Sequence, residues 1–324
     1  MEPIQLELPT IFEDMTVNAW LFKEPEPTLI DCGENTDKLW DVLNNKLKAN
    51  GLTIEDIKKV IITHAHLDHL GMAKRITDHS DATIWVSEYT YDWAIHLKMM
   101  LDRRTDVFMK VMEKNLPAKA KQQHFNFGYK ELAKYWDEIP KDRIQVFPME
   151  GSLNFGGDDW EIIYTPGHCI NQTCFYNPKN GYLLSADMLL PMIPIPIIDA
   201  DLKPPYKPVK SLAMQLESYE KLKKLHITKV FPGHFTSFEN ARTLIEKQEN
   251  KIHSRKERCY ELLQNGSTQV MELVHAIYPK RINDATIFMV VGFLDILQEE
   301  GRINFKEIDG MYHYYPNEKK MIYS

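Results

Sequence analysis

The sequence predicts an α/β fold built from two successive strand-rich halves, and three observations carry that prediction. Short apolar, β-prone runs alternate with stretches of helical spacing over residues 4–86 and again over residues 144–234. Several of these runs end in histidine or aspartate, twice behind a Pro-Gly turn. From about residue 246 the character changes to helical stretches followed by two short β-prone runs.

Apolar-rich segments at residues 4–9, 17–22 and 28–31 read as strands separated by turns. Residues 36–49 put Leu39, Trp40, Val42, Leu43 and Leu47 at helical spacing. The run Val60-Ile61-Ile62-Thr63 reads as a buried strand, residues 69–79 as a helix and residues 83–86 as another strand. The second half carries expected strands at 144–147, 160–164, 174–176, 182–185 and 229–231, with a helix over 211–225. Residues 89–138 lie between the halves, helical by pattern and rich in Met and aromatics, among them Trp93, Met100, Phe108, Phe125 and Trp136. They read either as a helical pair with its own core or as a cap presenting an apolar wall over a cleft. The prolines of Pro191-Met192-Ile193-Pro194-Ile195-Pro196 exclude helix and central strand, leaving a stiff apolar loop. The tail shows helical patterns at 238–265, with Ser237 as its expected N-cap, and at 268–278 and 284–299. Strands at 301–305 and 312–315 follow, around Asp309-Gly310.

The most informative motif is His64-Ala65-His66-Leu67-Asp68-His69, directly behind the buried strand. His64 and His66 alternate with Ala65, so in an extended segment both point to one side. Asp68 and His69 follow as the chain turns into helix and can face a neighbouring point. Three imidazoles and a carboxylate packed this tightly need a cation, and the arrangement suits two adjacent ions better than one. Six contiguous residues cannot surround two ions, so later strand ends must contribute. Three do so by pattern: Thr165-Pro166-Gly167-His168, Asp187 after residues 182–186, and Pro232-Gly233-His234. Gly167 and Gly233 let the backbone turn sharply before each histidine. The other histidines, His79, His96, His124, His226, His253, His275 and His313, lack such strand-end partners and read as surface or structural, though His96 and His124 lie in the possible cap.

This succession, HxHxDH, TPGH, an Asp after a strand and PGH, resembles the metallo-β-lactamase superfamily over roughly residues 1–245. The resemblance implies a four-layer αββα fold, agreeing with the two strand-rich halves. It also implies that His64, His66 and His168 hold one metal, that Asp68, His69 and His234 hold a second, and that Asp187 bridges them with a hydroxide. Zn2+, two per chain, is the implied cofactor; a single-iron branch shares a similar motif, so iron or manganese stay open. His66 stands where the di-iron flavoprotein branch carries Glu. The tail, residues 246–324, resembles a winged-helix module, as some hydrolases of this superfamily carry. From Lys251 onward it holds ten Lys/Arg and ten Asp/Glu, so the module is neutral where a nucleic-acid-binding winged helix usually shows a basic face, which disfavours nucleic acid without excluding it. Packing, dimerisation or cleft lining is the expected role, and a homodimer is left open.

Charge decides the chemistry. Two divalent cations, two carboxylates, one hydroxide and neutral imidazoles leave the site with a net charge of about plus one, which favours a hydroxide nucleophile near neutral pH and anionic tetrahedral species. The expectation is a dinuclear zinc hydrolase using a metal-bridging hydroxide on a small-molecule ester, thioester or lactone, with Asp68 also moving a proton. A metal-dependent nuclease or phosphodiesterase is the enzymatic alternative. A ligand-sensing DNA-binding regulator is the non-enzymatic one, disfavoured by the complete ligand set. No phosphate-binding glycine motif and no G-x-S-x-G elbow occur. A length of 324 residues suits one large domain and a small one; 44% hydrophobic and 26% charged residues are ordinary for a globular protein. The net charge of −7 gives no general attraction to nucleic acid or an anionic membrane. No apolar run long enough for a membrane span and no leader pattern occur, and Cys32, Cys169, Cys174 and Cys259 have no paired spacing. A cytoplasmic location with free thiols is expected, Cys169 serving packing.

Overall fold

The structure, a computed structural model, describes residues 1–11, 15–120 and 133–317. Strands β1 (Ile4–Pro9), β2 (Thr16–Phe22), β3 (Thr28–Ile30), β4 (Lys59–Ile61), β5 (Thr83–Ser87) and β6 (Ile144–Phe147) form one sheet in sequence order. Its first three strands are antiparallel, and β3 to β6 run parallel. The second sheet runs β11 (Lys229–Pro232), β10 (Tyr182–Ala186), β9 (Thr173–Asn177), β8 (Asp158–Tyr164), β7 (Ser152–Phe155), with only β10 and β11 parallel.

The two sheets face each other across an aromatic layer. Trp20, Phe22, Ile30, Ile61 and Phe147 come from the first sheet, and Phe155, Trp160, Phe175, Leu184 and Phe231 from the second. Phe155 and Trp160 stack with ring centres 5.0 Å apart, and Phe22 meets both edge-on. The outer face of the first sheet is covered by α1 (Asp37–Ala49), α2 (Leu67–Leu70), α3 (Ala73–His79) and α4 (Tyr91–Ile95). The outer face of the second is covered by α6 (Ser211–Leu222), α7 (Ala241–Gln264) and α9 (Asp284–Glu299). The result is αββα. Between the halves, α5 (Leu97–Asn115) joins both outer clusters, Leu97, Met100 and Leu101 entering the first and Phe108 and Met112 the second. Phe125 and His124 of the expected cap lie outside the described residues.

Three expectations shift locally. The helix expected over 69–79 splits into α2 and α3 because the Met72 N–H donates to Gly33 O at 2.9 Å and leaves the helical ladder. Strand β7 is absent from the sequence reading; it is only four residues long, Ser152 and Asn154 exposed and Phe155 buried, and it forms where Gly156 and Gly157, both at positive φ, turn the chain back onto β8. The long tail helix begins at Ala241 behind Asn240, not behind Ser237, because Phe238 exchanges two backbone hydrogen bonds with Val230.

The tail elements are α7, α8 (Val270–Ile277), α9 and the hairpin β12 (Ile303–Ile308) and β13 (Met311–Pro316). They share one apolar cluster with the second sheet and α6. A Cβ at Gly292 would lie 2.7 Å from Leu212 Cβ, so α9 rides directly on α6. The hairpin reaches α5, where the Tyr314 hydroxyl donates to Asn115 Oδ1 at 2.6 Å and Lys114 pairs with Glu307. Among the described residues no helix is long and apolar enough to cross a membrane. Phe293 is fully buried in the shared cluster, so Phe293→Ala is expected to cost about 3–5 kcal/mol. Denaturant unfolding followed by far-UV and near-UV signals should shift as one transition. A separate early transition of the tail would contradict a shared core.

Candidate metal centre

The seven motif residues follow the ends of strands, Asp68 and His69 from the helical turn just beyond. The chain leaves β4 through Ile62 and Thr63, and Asp31, just past β3, holds it there. Asp31 accepts the Thr63 N–H at 2.9 Å, the Thr63 hydroxyl at 2.8 Å and the His69 Nδ1–H at 2.8 Å. His66 precedes the first turn of α2, so Asp68 and His69 project from that turn. Asp31, at φ 61° and buried, escapes the sequence reading. Its signal is the same one the ligands give: an acid at the end of a strand beside β4.

On the second sheet, Gly167 precedes His168 at φ 153°, and a Cβ there would fall 2.5 Å from Gln215 Cα of α6. Only glycine fits. Asp187 follows Ala186, where the pairing of β10 with β11 slips and φ turns positive, 44°. Gly233 donates its N–H to Ala186 O at 2.8 Å, and a Cβ on it would meet Asp187 Oδ1 at 2.2 Å. His234 follows at once and donates Nδ1–H to Thr16 O of β2.

These elements bring all seven residues together. His66 Nδ1 stands 3.0 Å from His64 Nε2 and 2.9 Å from His168 Nε2. His69 Nε2 lies 3.7 Å from Asp68 Oδ2, and His234 Nε2 lies 3.4 Å from the same oxygen. Asp187 touches both groups: Oδ2 is 3.5 Å from His168 Nε2 and 3.2 Å from His234 Nε2, and Oδ1 is 3.5 Å from His69 Nε2. His64, His69, His168, Asp187 and His234 are buried, and Asp68 is only partly exposed.

Four of the five outward ring nitrogens are tied back; the fifth, His66 Nε2, is buried without a hydrogen-bond partner. His64 Nδ1 meets Thr63 Oγ1 at 3.0 Å, His168 Nδ1–H donates to Ile195 O at 2.9 Å, and His69 and His234 bond Asp31 and Thr16. Such bonds fix the tautomer that leaves the inward nitrogen with a free lone pair. Three lone-pair nitrogens about 3 Å apart repel unless a cation or proton lies among them. His69 Nε2 and Asp187 Oδ1 are buried without a hydrogen-bond partner, the state expected of a ligand atom. Cys169 also has its Sγ within 4.8 Å of ring nitrogens of His64 and His66. Its thiol donates to Asn171 Oδ1, whereas His168 Nε2 lies 2.9 Å from His66 Nδ1 and 3.5 Å from Asp187 Oδ2, which makes His168 the better third donor.

The two groups differ in charge. Burial holds His64, His66 and His168 below their ordinary pKa, helped by neighbouring imidazoles, so they are neutral at pH 7. Burial opposes charge on His69 as well, but Asp68, Asp187 and Asp31 outweigh it and raise its pKa. His234, likewise buried, is pushed up to about 11 by Asp187 and Asp68. Burial would raise the two carboxyls, yet His69 and His234 hold both below the usual range. In the metal-free cage the surrounding carboxylates, Asp31 included, therefore favour protons on His69 and His234.

The sequence matches the family profile described as Metallo-beta-lactamase superfamily over residues 13–234. The chain belongs to the metallo-beta-lactamase superfamily. It is 27% identical over 312 residues to the Probable metallo-hydrolase YqjP of Bacillus subtilis (strain 168), covering 93% of each chain. Among solved structures, a metallo-beta-lactamase family protein of Thermus thermophilus superposes with a TM-score of 0.78 at 22% identity, covering 97% of this chain and 98% of that one. A beta-lactamase domain protein of Burkholderia ambifaria gives a TM-score of 0.79 at 20% identity, covering 97% and 92%. Membership of the superfamily and the metallo-hydrolase relative make this chain a metal-dependent hydrolase.

Metal uptake by the Asp68–His69–His234 group requires neutral imidazoles. Filling it at pH 7 should release about two protons per chain, one from each raised histidine, while the His64–His66–His168 group releases none. Calorimetric titration in buffers of different ionisation heat counts them, and a count near zero contradicts the charge balance. The sign for stability follows. With a folded pKa above its ordinary 6.5, His234 stabilises the metal-free chain fully below about pH 6.5 and loses that contribution as pH rises towards 11. The thermal midpoint of chelator-treated protein should fall across that window, and His234→Asn should flatten the fall.

Proposed function

We propose that this chain is a dinuclear zinc-dependent hydrolase of a small ester, thioester or lactone. The supporting observation is the complete cage: two donor groups of three residues each, meeting at the single carboxylate of Asp187. In this reading His64, His66 and His168 hold one ion, Asp68, His69 and His234 hold the other, and Asp187 spans them. Zinc held by these residues would supply Lewis acidity and a water-derived nucleophile near neutral pH.

The chain's own groups do the rest. Asp31 and Thr63 fix the ligand loop so that the inward nitrogens keep their direction. Asp68 is the least buried of the acidic ligands, and its carboxylate is held ionised by His69 and His234, so it can accept and return a proton at the cleft. Ile195, whose carbonyl holds His168, and Phe235 beside His234 are exposed apolar side chains next to ligand residues, which suits an acyl or ring substrate more than a polyanion. The neutral tail, with its hairpin engaged on α5, supports packing over nucleic-acid binding. Residues 1–245 are read as the catalytic part and 246–324 as the packing module, in a cytoplasmic protein.

Metal analysis of the purified chain with a hydrolysis screen over thioesters, lactones, β-lactams and bis(p-nitrophenyl) phosphate tests the assignment. Two zinc ions and turnover of a carbonyl substrate are expected. Cleavage of the phosphodiester alone would move the chain to the phosphodiesterases, and one bound iron without zinc would reject the dizinc reading. Asp68→Asn should lower kcat roughly 100-fold with both metals retained. Full turnover in that variant would remove the proton-transfer role.

A further inference from the structure

Arg104 of α5 has a buried head group, 2% exposed, and makes a two-point contact with the equally buried Asp199. Its Nε donates to Oδ1 at 3.1 Å and its Nη2 to Oδ2 at 2.9 Å, and the guanidinium lies 4.2 Å from the Trp93 ring centre. Removing such a pair from water is costly, and apolar residues would fill the same volume as well or better. A role beyond stability is therefore worth seeking, and the bonds around Asp199 point to one.

Asp199 Oδ2 also accepts the Ile170 N–H at 3.3 Å, two residues past His168. The segment leading to Asp199 grips His168 twice. The Ile197 N–H donates to His168 O at 3.0 Å, and Ile195 O accepts the His168 Nδ1–H at 2.9 Å. Ser211 of α6 in turn donates its hydroxyl to Ile197 O, and the Val209 N–H donates to Asp199 O at 3.0 Å. The His168 turn and the stretch 195–199 thus close a ring of bonds, and the Arg104–Asp199 pair fastens that ring to α5.

We propose that Arg104 and Asp199 are positioning residues for the metal ligand His168, coupling helix α5 to the ion held by His64, His66 and His168. The inference rests on the dinuclear reading. Without Arg104, the carboxylate of Asp199 is buried with no cation and turns from Ile170 towards solvent or a proton. The segment 195–199 then shifts, and the carbonyl that orients the His168 ring moves with it. The Asp68–His69–His234 group has its own tethers, Asp31 and Thr16, and is left alone.

The test measures both zinc affinities by competition with a chromophoric chelator in wild type, Arg104→Met, Arg104→Lys, Asp199→Asn and the Arg104→Met/Asp199→Asn double variant. The thermal midpoint of each metal-free form is recorded alongside. One of the two affinities should weaken by about 10–100-fold in Arg104→Met and Asp199→Asn, the range typical of lost outer-sphere partners, while the other holds. The double variant should be no worse than the poorer single one, because the two side chains act as a unit. Arg104→Lys, which keeps the charge and loses the fork, should recover part of the loss. In metal-free protein, the ring 15N shifts of His168 should change in the weakened variants and those of His69 should not. Unchanged affinities in folded variants overturn the proposal. So does an equal loss at both sites that follows the thermal midpoint, the mark of a merely structural pair. A wild-type chain that binds no second ion overturns the dinuclear reading itself and is seen before any variant is made.

Discussion

The carboxylate of Asp187 is buried at 4% exposure and lies within 3.5 Å of imidazoles from both donor groups. A carboxylate in that place cannot remain without compensating charge, and its surroundings answer in two ways. In the metal-free chain, protons on His69 and His234 neutralise it together with Asp68. A cation does so more completely, because it also separates the crowded lone pairs of His64, His66 and His168. The bulge that aims Asp187, the glycine at 233 that makes room for it and the tethers on His64, His69, His168 and His234 all serve this concentration of charge.

The fold makes the meeting possible through two parallel edges. Strands β3 and β4 end beside each other, placing Asp31 next to the HxHxDH loop, and β10 and β11 end beside each other, placing Asp187 next to His234. Facing the two sheets across one aromatic layer then brings these ends together. The helices outside do not supply the seven motif residues, apart from the single turn of α2, but α6 forces Gly167 by its closeness.

Much of this was legible in the sequence because strand ends next to His and Asp are local signals. The apolar runs mark ten of the eleven strands of the two facing sheets within a residue or two, and every motif residue is flagged by the run that precedes it. What escapes detection depends on partners far along the chain. Strand β7, Ser152–Phe155, alternates polar and apolar residues over only four positions, too short a run to announce a strand, and is defined by its pairing with β8. Asp31 looks like any strand-end acid until Thr63 and His69 arrive beside it. The break between α2 and α3 is set by Gly33 O, about forty positions away, which no helical periodicity can register. Arg104 and Asp199 are ninety-five residues apart and carry no motif at all.

The donors come from both halves of the sandwich, with His64, His66, Asp68 and His69 leaving the first sheet and His168, Asp187 and His234 the second. A bound ion is therefore a clasp between two layers that otherwise cling chiefly through apolar contact. Opening the sandwich means releasing the ion, so occupancy adds to folding by mass action, about 2.7 kcal/mol at a free concentration roughly one hundred times the dissociation constant. Metal supply would then bear on how long such a chain stays folded as well as on its turnover.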